Sequence, residues 1–195
     1  MKLVTAAAFA LLVPASLTAQ GTPPAPGAAA NPVTAVFRTR TMALQRNLAQ
    51  AFDSIPESLF NYKPTPAQLT VGYVAQHLAS DNYIFCNNFG AKKAAVAPED
   101  GTTPDSVKAK WPRAQLLTKM KASFAFCEEA FAQLDDAKLG EEFTMTMGAN
   151  TRTSSRAAMA LGHVIDMADH YSQIANYMRL NNILPPTALP RPARP

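Results

Sequence analysis

Four stretches of this chain carry apolar residues three and four positions apart over roughly twenty residues each, and prolines or glycines punctuate every gap between them. In the first, Val33, Val36, Phe37, Met42, Leu44, Leu48, Ala51 and Phe52 form the repeat, with Asn31 placed as N-cap and Pro32 in the first turn. Pro56, Pro64 and Pro66 forbid its continuation, and Thr70 is placed to cap a second helix over about residues 71–88, with Val74, His77, Asp81 and Ile84 along one stripe. Residues 89–111 break into Gly, Lys, Ala, Pro and Thr, a length that suits a crossover better than a tight turn. A third helix, about residues 112–134, has Leu116, Leu117, Met120, Phe124, Cys127, Phe131 and Leu134 on its core side. Phe143, Met145 and Met147 then alternate like a short strand or extended pass before Gly148-Ala149-Asn150 turns the chain. The fourth helix, from about Ser154 to Asn181, would extend roughly 40 Å and ends before Pro185-Pro186. The predicted fold class is all-α: a four-helix bundle with a long crossover connection, residues 33–184.

The two ends read differently. Lys2, the apolar run Leu3–Val13, Pro14 and the small residues up to Ala19-Gln20 predict a cleaved signal peptide, residues 1–20. An exported protein, periplasmic or secreted, is the expectation. The apolar run is too short for a permanent span, so no stable membrane insertion is expected, and no cysteine sits near the cleavage point to carry a lipid. Residues 21–32 form a proline-rich linker and 185–195 a proline-rich tail. Removing Lys2 and the tail residues Arg191 and Arg194 from the formal net charge of +4 leaves +1, which disfavours nucleic-acid binding. In an oxidising compartment Cys86 and Cys127 are expected to pair and staple two helices, the alternative being two buried free thiols.

The chain has three histidines, and all fall on predicted inward faces. On the fourth helix Met159, His163, Asp166, His170, Gln173/Ile174 and Tyr177 share one side, with Asp166 and His170 one turn apart. His77 lies on the stripe of the second helix. Spacing alone leaves two readings open: ligands for a metal ion, or a metal-free His-Asp-His hydrogen-bond network. Tyr73, four residues before His77, either closes over the pocket or simply packs.

The segment "SIPESLFNYKPTPAQLTVGYVAQHLASDNYIFC", followed much later by "DMADHYSQIANYMRLNNILPP", resembles the DinB-like superfamily of metal-binding four-helix bundles. Pro56-Glu57, Leu59-Phe60-Asn61-Tyr62, Pro64, Ala75-Gln76-His77-Leu78 and the His-x-x-Gln of His170 and Gln173 carry the resemblance. It implies a divalent-metal site from three side chains, here His77, Asp166 and His170. The family usually has histidine where this chain has Asp166. A two-His, one-carboxylate set still suits zinc, nickel, iron or manganese. His163, one turn before Asp166, is expected to orient that carboxylate or to replace it as a ligand.

Two functional classes follow. The first is a metal-dependent hydrolase or thiol-dependent transferase acting on a small-molecule substrate; export argues against a cytosolic thiol and so favours hydrolysis. The second is a non-catalytic exported binding or structural protein with a metal-free polar network. Helix faces rich in Ala, Met and Phe leave a homodimer open.

Overall fold

The computed structural model describes residues 30–147 and 150–190. The expected signal peptide, residues 21–29 of the linker and residues 191–195 of the tail lie outside the described residues. Four long helices form the bundle: α1 (Pro32–Ser54), α2 (Val71–Cys86), α5 (Arg113–Phe131) and α6 (Arg156–Leu180). Two short helices, α3 (Pro98–Thr102) and α4 (Asp105–Lys108), interrupt the crossover, and a hairpin of β1 (Glu142–Met147) and β2 (Asn150–Ser155) precedes α6. The bundle is as expected; the second strand is a correction, because Asn150–Ser155 reads as polar turn and helix start in the sequence. Its register pairs Phe143 with Ser154 and Met145 with Arg152; Phe143 and Met145 pack on the core while Glu142, Thr144 and Thr146 between them remain in solvent.

Around the bundle the order is α1, α6, α2, α5, each helix packing on two neighbours. Asn82 meets Ser123 and Cys86 meets Cys127, a constant offset of 41, so α2 and α5 run parallel. Parallel neighbours cannot be joined by a tight turn, which is the physical reason for the long crossover. Across α2 and α6 the pairing reverses: Asn82 faces His163, and His77 faces His170, so these helices are antiparallel.

The helix ends show how local chemistry fixes the frame. Thr70 caps α2 as expected, its Oγ1 accepting from the Tyr73 N–H at 3.1 Å. Asn31 does not cap α1 with its side chain. The Asp136 carboxylate does so from the 3-10 turn that follows α5, accepting from Val33 N–H at 3.0 Å and Thr34 N–H at 2.7 Å, while Asn31 Oδ1 accepts from the Asp136 N–H at 3.1 Å. At the other end of α1, the Arg113 guanidinium donates to the carbonyls of Phe52 and Ile55, satisfying acceptors the helix leaves open.

The buried side of α1 is a second correction. Val33, Val36 and Met42 are exposed, whereas Thr34, Thr41 and Gln45 join Leu48, Ala51 and Phe52 inside. Thr41 Oγ1 lies 3.4 Å from His163 Nδ1 and Gln45 Nε2 donates to Phe124 O at 3.3 Å; interior partners outweigh side-chain polarity there. The core has two centres, one around Leu48, Phe52, Leu78, Met120 and Ile174, the other around Cys86, Phe89, Cys127 and Phe131. Beyond α6, Thr187 in the tail exchanges hydrogen bonds with the Tyr171 hydroxyl at 2.9 and 3.1 Å. Among the described residues, no helix is long and apolar enough to cross a membrane.

Candidate metal centre

On α2 the four-residue spacing of His77 and Asp81 puts both on one face, and His77 Nε2 lies 3.3 Å from Asp81 Oδ2. On α6 the order is reversed: Asp166 precedes His170, and His170 Nε2 lies 3.5 Å from Asp166 Oδ1. Because the helices are antiparallel, the two i,i+4 pairs come together. The His77 and His170 rings meet edge to face with centroids 4.9 Å apart. His77, Asp166 and His170 each present a donor atom within 4.8 Å of the other two. The three residues chosen from the sequence are therefore brought to one place. Asp81 was placed on the His77 stripe but not in the site; the mirrored motifs His-x-x-x-Asp and Asp-x-x-x-His on two facing helices are the signal that identifies it.

A chain of hydrogen bonds fixes the His170 tautomer. Tyr177 OH donates to Leu69 O at 3.1 Å, so it accepts from Gln173 Nε2 at 2.8 Å. That orientation leaves Gln173 Oε1 facing His170 Nδ1 at 3.3 Å, and Nδ1 must carry the proton. In the neutral ring Nε2 then holds its lone pair toward Asp166, the arrangement a ligating imidazole needs. Burial disfavours the charged form of His170, but the Asp166 carboxylate and the Gln173 and Asp169 oxygens outweigh it and raise its pKa. Burial raises the pKa of Asp81, with the Asp166 charge acting in the same direction and His77 opposing.

The fit to a cation rests on Asp166. Its Oδ2 is buried and has no hydrogen-bond partner among the described residues. A buried carboxylate oxygen without a partner is costly, and one beside two imidazole nitrogens matches a divalent ion in charge and donor type. Side-chain exposure is 29% at His77, 23% at Asp81, 19% at Asp166 and 9% at His170, so the α2 pair is the more accessible one.

On that side lies a cavity of about 480 Å³ between α2, the crossover helices and α5. Tyr73, His77, Asp81, Ile84, Trp111 and Lys119 belong to its wall; Asp166 and His170 do not, so the cluster reaches the cavity through His77, with Asp81 beside it. Of the stripe expected to face the core, Val74 does so, whereas His77, Asp81 and the 41% exposed Ile84 line this cavity instead. Tyr73 packs near His77 with ring centroids 6.1 Å apart, on the cavity wall. Lys108, almost fully buried, pairs with Asp105 at 2.9 Å, and Lys119 pairs with Asp100 at 2.8 Å. The Lys108 hydrogen bond holds the Asp105 carboxyl below its ordinary pKa.

His163 does not join the cluster. It shares a stripe with His170 but sits two turns earlier, roughly 10 Å along the axis, and its partners are different. Its Nε2 lies 2.9 Å from Asn82 Oδ1, and the ring is enclosed by Phe85, Phe89 and Phe131 at centroid distances of 5.8, 6.0 and 5.8 Å. The expectation that His163 orients Asp166 or replaces it is thus corrected. Burial pushes its pKa down to about 4, with the Asp166 charge opposing, so the ring is neutral near pH 7. Cys86 and Cys127 beside it form the expected disulfide.

Among curated proteins none matches the sequence. Solved structures of similar fold include a DinB-like protein from Bacillus subtilis, 16% identical, with a TM-score of 0.56 over 75% of this chain and 92% of that one. A conserved protein from Enterococcus faecalis is also 16% identical, with a TM-score of 0.56 over 76% of this chain and 96% of its own. A mycothiol-dependent maleylpyruvate isomerase is 16% identical with a TM-score of 0.56 over 72% of this chain, which spans only 60% of that larger protein. At these identities the likeness is one of fold. The family model of the DinB superfamily matches residues 40–174, which takes in α2, the crossover, α5 and every residue of the cluster, and the chain belongs to that superfamily.

Proposed function

We propose that this protein is an exported divalent-metal protein that uses His77, Asp166 and His170 as ligands, with hydrolysis of a small molecule as its reaction. The observation that carries the reading is the buried, partnerless Asp166 Oδ2 set beside two imidazoles. A bound divalent ion would supply Lewis acidity, polarising a substrate oxygen and activating a nucleophile near neutral pH. The chain's own residues divide the remaining work. Gln173 and Tyr177 hold the His170 proton on Nδ1. Asp81, on the cavity wall and 3.3 Å from His77, is placed to accept a proton from a molecule in the cavity. Tyr73, Ile84 and Trp111 offer apolar surface to that molecule. His163, enclosed by aromatic rings, takes no part. The likeness to a thiol-dependent isomerase supports a thiol-using transferase less well, because export separates the protein from cytosolic thiols.

A second reading has one observation in its favour: the pairs His77–Asp81 and His170–Asp166, at 3.3 and 3.5 Å, form ion pairs without a metal when the imidazoles carry a second proton. Elemental analysis of protein purified without a histidine tag separates the two. One equivalent of a divalent metal per chain, lost in His77→Ala, is expected; the same metal content in the variant overturns the assignment. A panel of hydrolase substrates with and without chelator then tests catalysis. Bound metal with no chelator-sensitive turnover leaves a binding protein.

A further inference from the structure

The second cluster of metal-binding residue types lies about two turns of α6 away from the first, and it is closed by a covalent bond. Cys86, Cys127 and His163 are all fully buried, on α2, α5 and α6 respectively. His163 Nε2 stands 3.7 Å from Cys86 Sγ and 3.6 Å from Cys127 Sγ. In a tetrahedral zinc-type site, metal–sulfur and metal–nitrogen bonds of about 2.3 and 2.0–2.1 Å set the sulfur–nitrogen edge at roughly 3.6 Å and the sulfur–sulfur edge at roughly 3.8 Å. Both sulfur–nitrogen edges are thus already in place. Only the two sulfurs must separate, from bonding distance of about 2 Å to that edge.

Asn82 supplies the fourth corner. Ser123 Oγ donates to Met120 O at 2.7 Å, so it must accept from Asn82 Nδ2 at 2.9 Å. Asn82 Oδ1 is therefore turned to His163 Nε2, which carries the ring proton in the oxidised protein. Moving that proton to Nδ1, where Thr41 Oγ1 lies 3.4 Å away as acceptor, frees both the Nε2 lone pair and the Asn82 oxygen. A divalent cation with two thiolates and a neutral imidazole has no net charge, the one combination that a box of three phenylalanines tolerates at low cost.

We infer that the Cys86–Cys127 disulfide masks a second metal site, in which the reduced thiolates, His163 Nε2 and Asn82 Oδ1 hold a zinc-class cation, so that disulfide and ion exclude each other. A dithiol reductant supplies two electrons and two protons: the S–S bond breaks, two thiols form, and the reductant becomes a cyclic disulfide. Binding of the cation then releases the two thiol protons to solvent. Since both sulfurs are inaccessible in the folded protein, exchange requires transient opening of α5 from α2.

The inference is independent of the His77 cluster, and its test uses a chain carrying His77→Ala and His170→Ala so that this cluster contributes nothing. The protein is unfolded, reduced with a dithiol, and refolded without oxygen in the presence of Co(II). One equivalent of cobalt with a thiolate-to-cobalt charge-transfer absorption is expected, absent from the oxidised protein. A Cys86→Ser, Cys127→Ser chain should lose the band, and His163→Ala should weaken cobalt affinity at least tenfold. Helical circular dichroism is followed alongside. A reduced chain that refolds without the band, that stays unfolded with cobalt present, or that binds equally well without His163 overturns the proposal.

Discussion

Replacing His163 by glutamine should remove a specific acid sensitivity from this bundle. The imidazole is fully buried, and its pKa falls from the ordinary 6.5 to about 4, first through burial, with the Asp166 charge opposing. The folded value lies below the unfolded one, so as pH falls the unfolded chain takes up the proton first and stability drops. The contribution is fully present above about pH 6.5 and is lost progressively as pH falls toward 4. A shift of this size corresponds to about 3 kcal/mol over the whole window, of which about 2 kcal/mol is gone by pH 5. His170 acts with the opposite sign and above the unfolded value rather than below it. Its pKa is raised on folding, so its contribution is present at low pH and fades as pH rises through the folded value.

Urea unfolding of the wild type and of His163→Gln, measured at half-unit steps from pH 7.5 to 4.5, separates the two effects. His170 and the carboxylates are common to both proteins and cancel in the difference, whatever the variant costs in absolute stability. The wild type should lose about 2 kcal/mol relative to the variant between pH 7.5 and 5. A difference that stays flat across that range would show that the imidazole is solvated or charged in the folded protein, and the reading of its surroundings would fail.

The disulfide closes a 41-residue separation, and a Cys86→Ala, Cys127→Ala chain should be less stable by about 4 kcal/mol in urea unfolding at pH 7. A loss below about 1 kcal/mol would mean that the bridge does not restrain the unfolded chain. Gly72, in the first turn of α2, has no room for a side chain: an alanine Cβ would press on the backbone oxygen of Ala109, which cannot yield like a flexible side chain. Gly72→Ala should cost about 2–3 kcal/mol in the same assay, and a neutral result would show that α4 packs less closely on α2.

Which parts of this structure could be read from sequence depends on whether a position's partner is local. The bundle was legible because apolar repeats three and four apart depend only on the helix itself: Leu116, Leu117, Met120 and Phe124 of α5 are all buried as expected. The cap of α1 was not, since Asp136 reaches it across more than 100 positions. Thr41 and Gln45 carry no apolar signal that would place them inside; only the neighbours His163 and Phe124 make the interior tolerable. The strand Asn150–Ser155 has no apolar alternation of its own and is held by its pairing with β1.

His163 and His170 make the point most sharply, because seven residues apart on one helix they are indistinguishable by period, by burial pattern and by residue type. What separates them is the face that α2 turns toward each. Running antiparallel, α2 presents His77 and Asp81 to the later histidine, and Asn82 and Cys86 to the earlier one. Polar, partly solvated neighbours keep the pKa of His170 high and leave its site accessible, whereas amide, disulfide and aromatic rings drive that of His163 down and seal it. A reading confined to α6 could propose ligands but could not divide them between two centres. The reversed pair on α2, aspartate after histidine rather than before, was the information that could have done so, since in antiparallel helices a reversed motif is what brings like residues face to face.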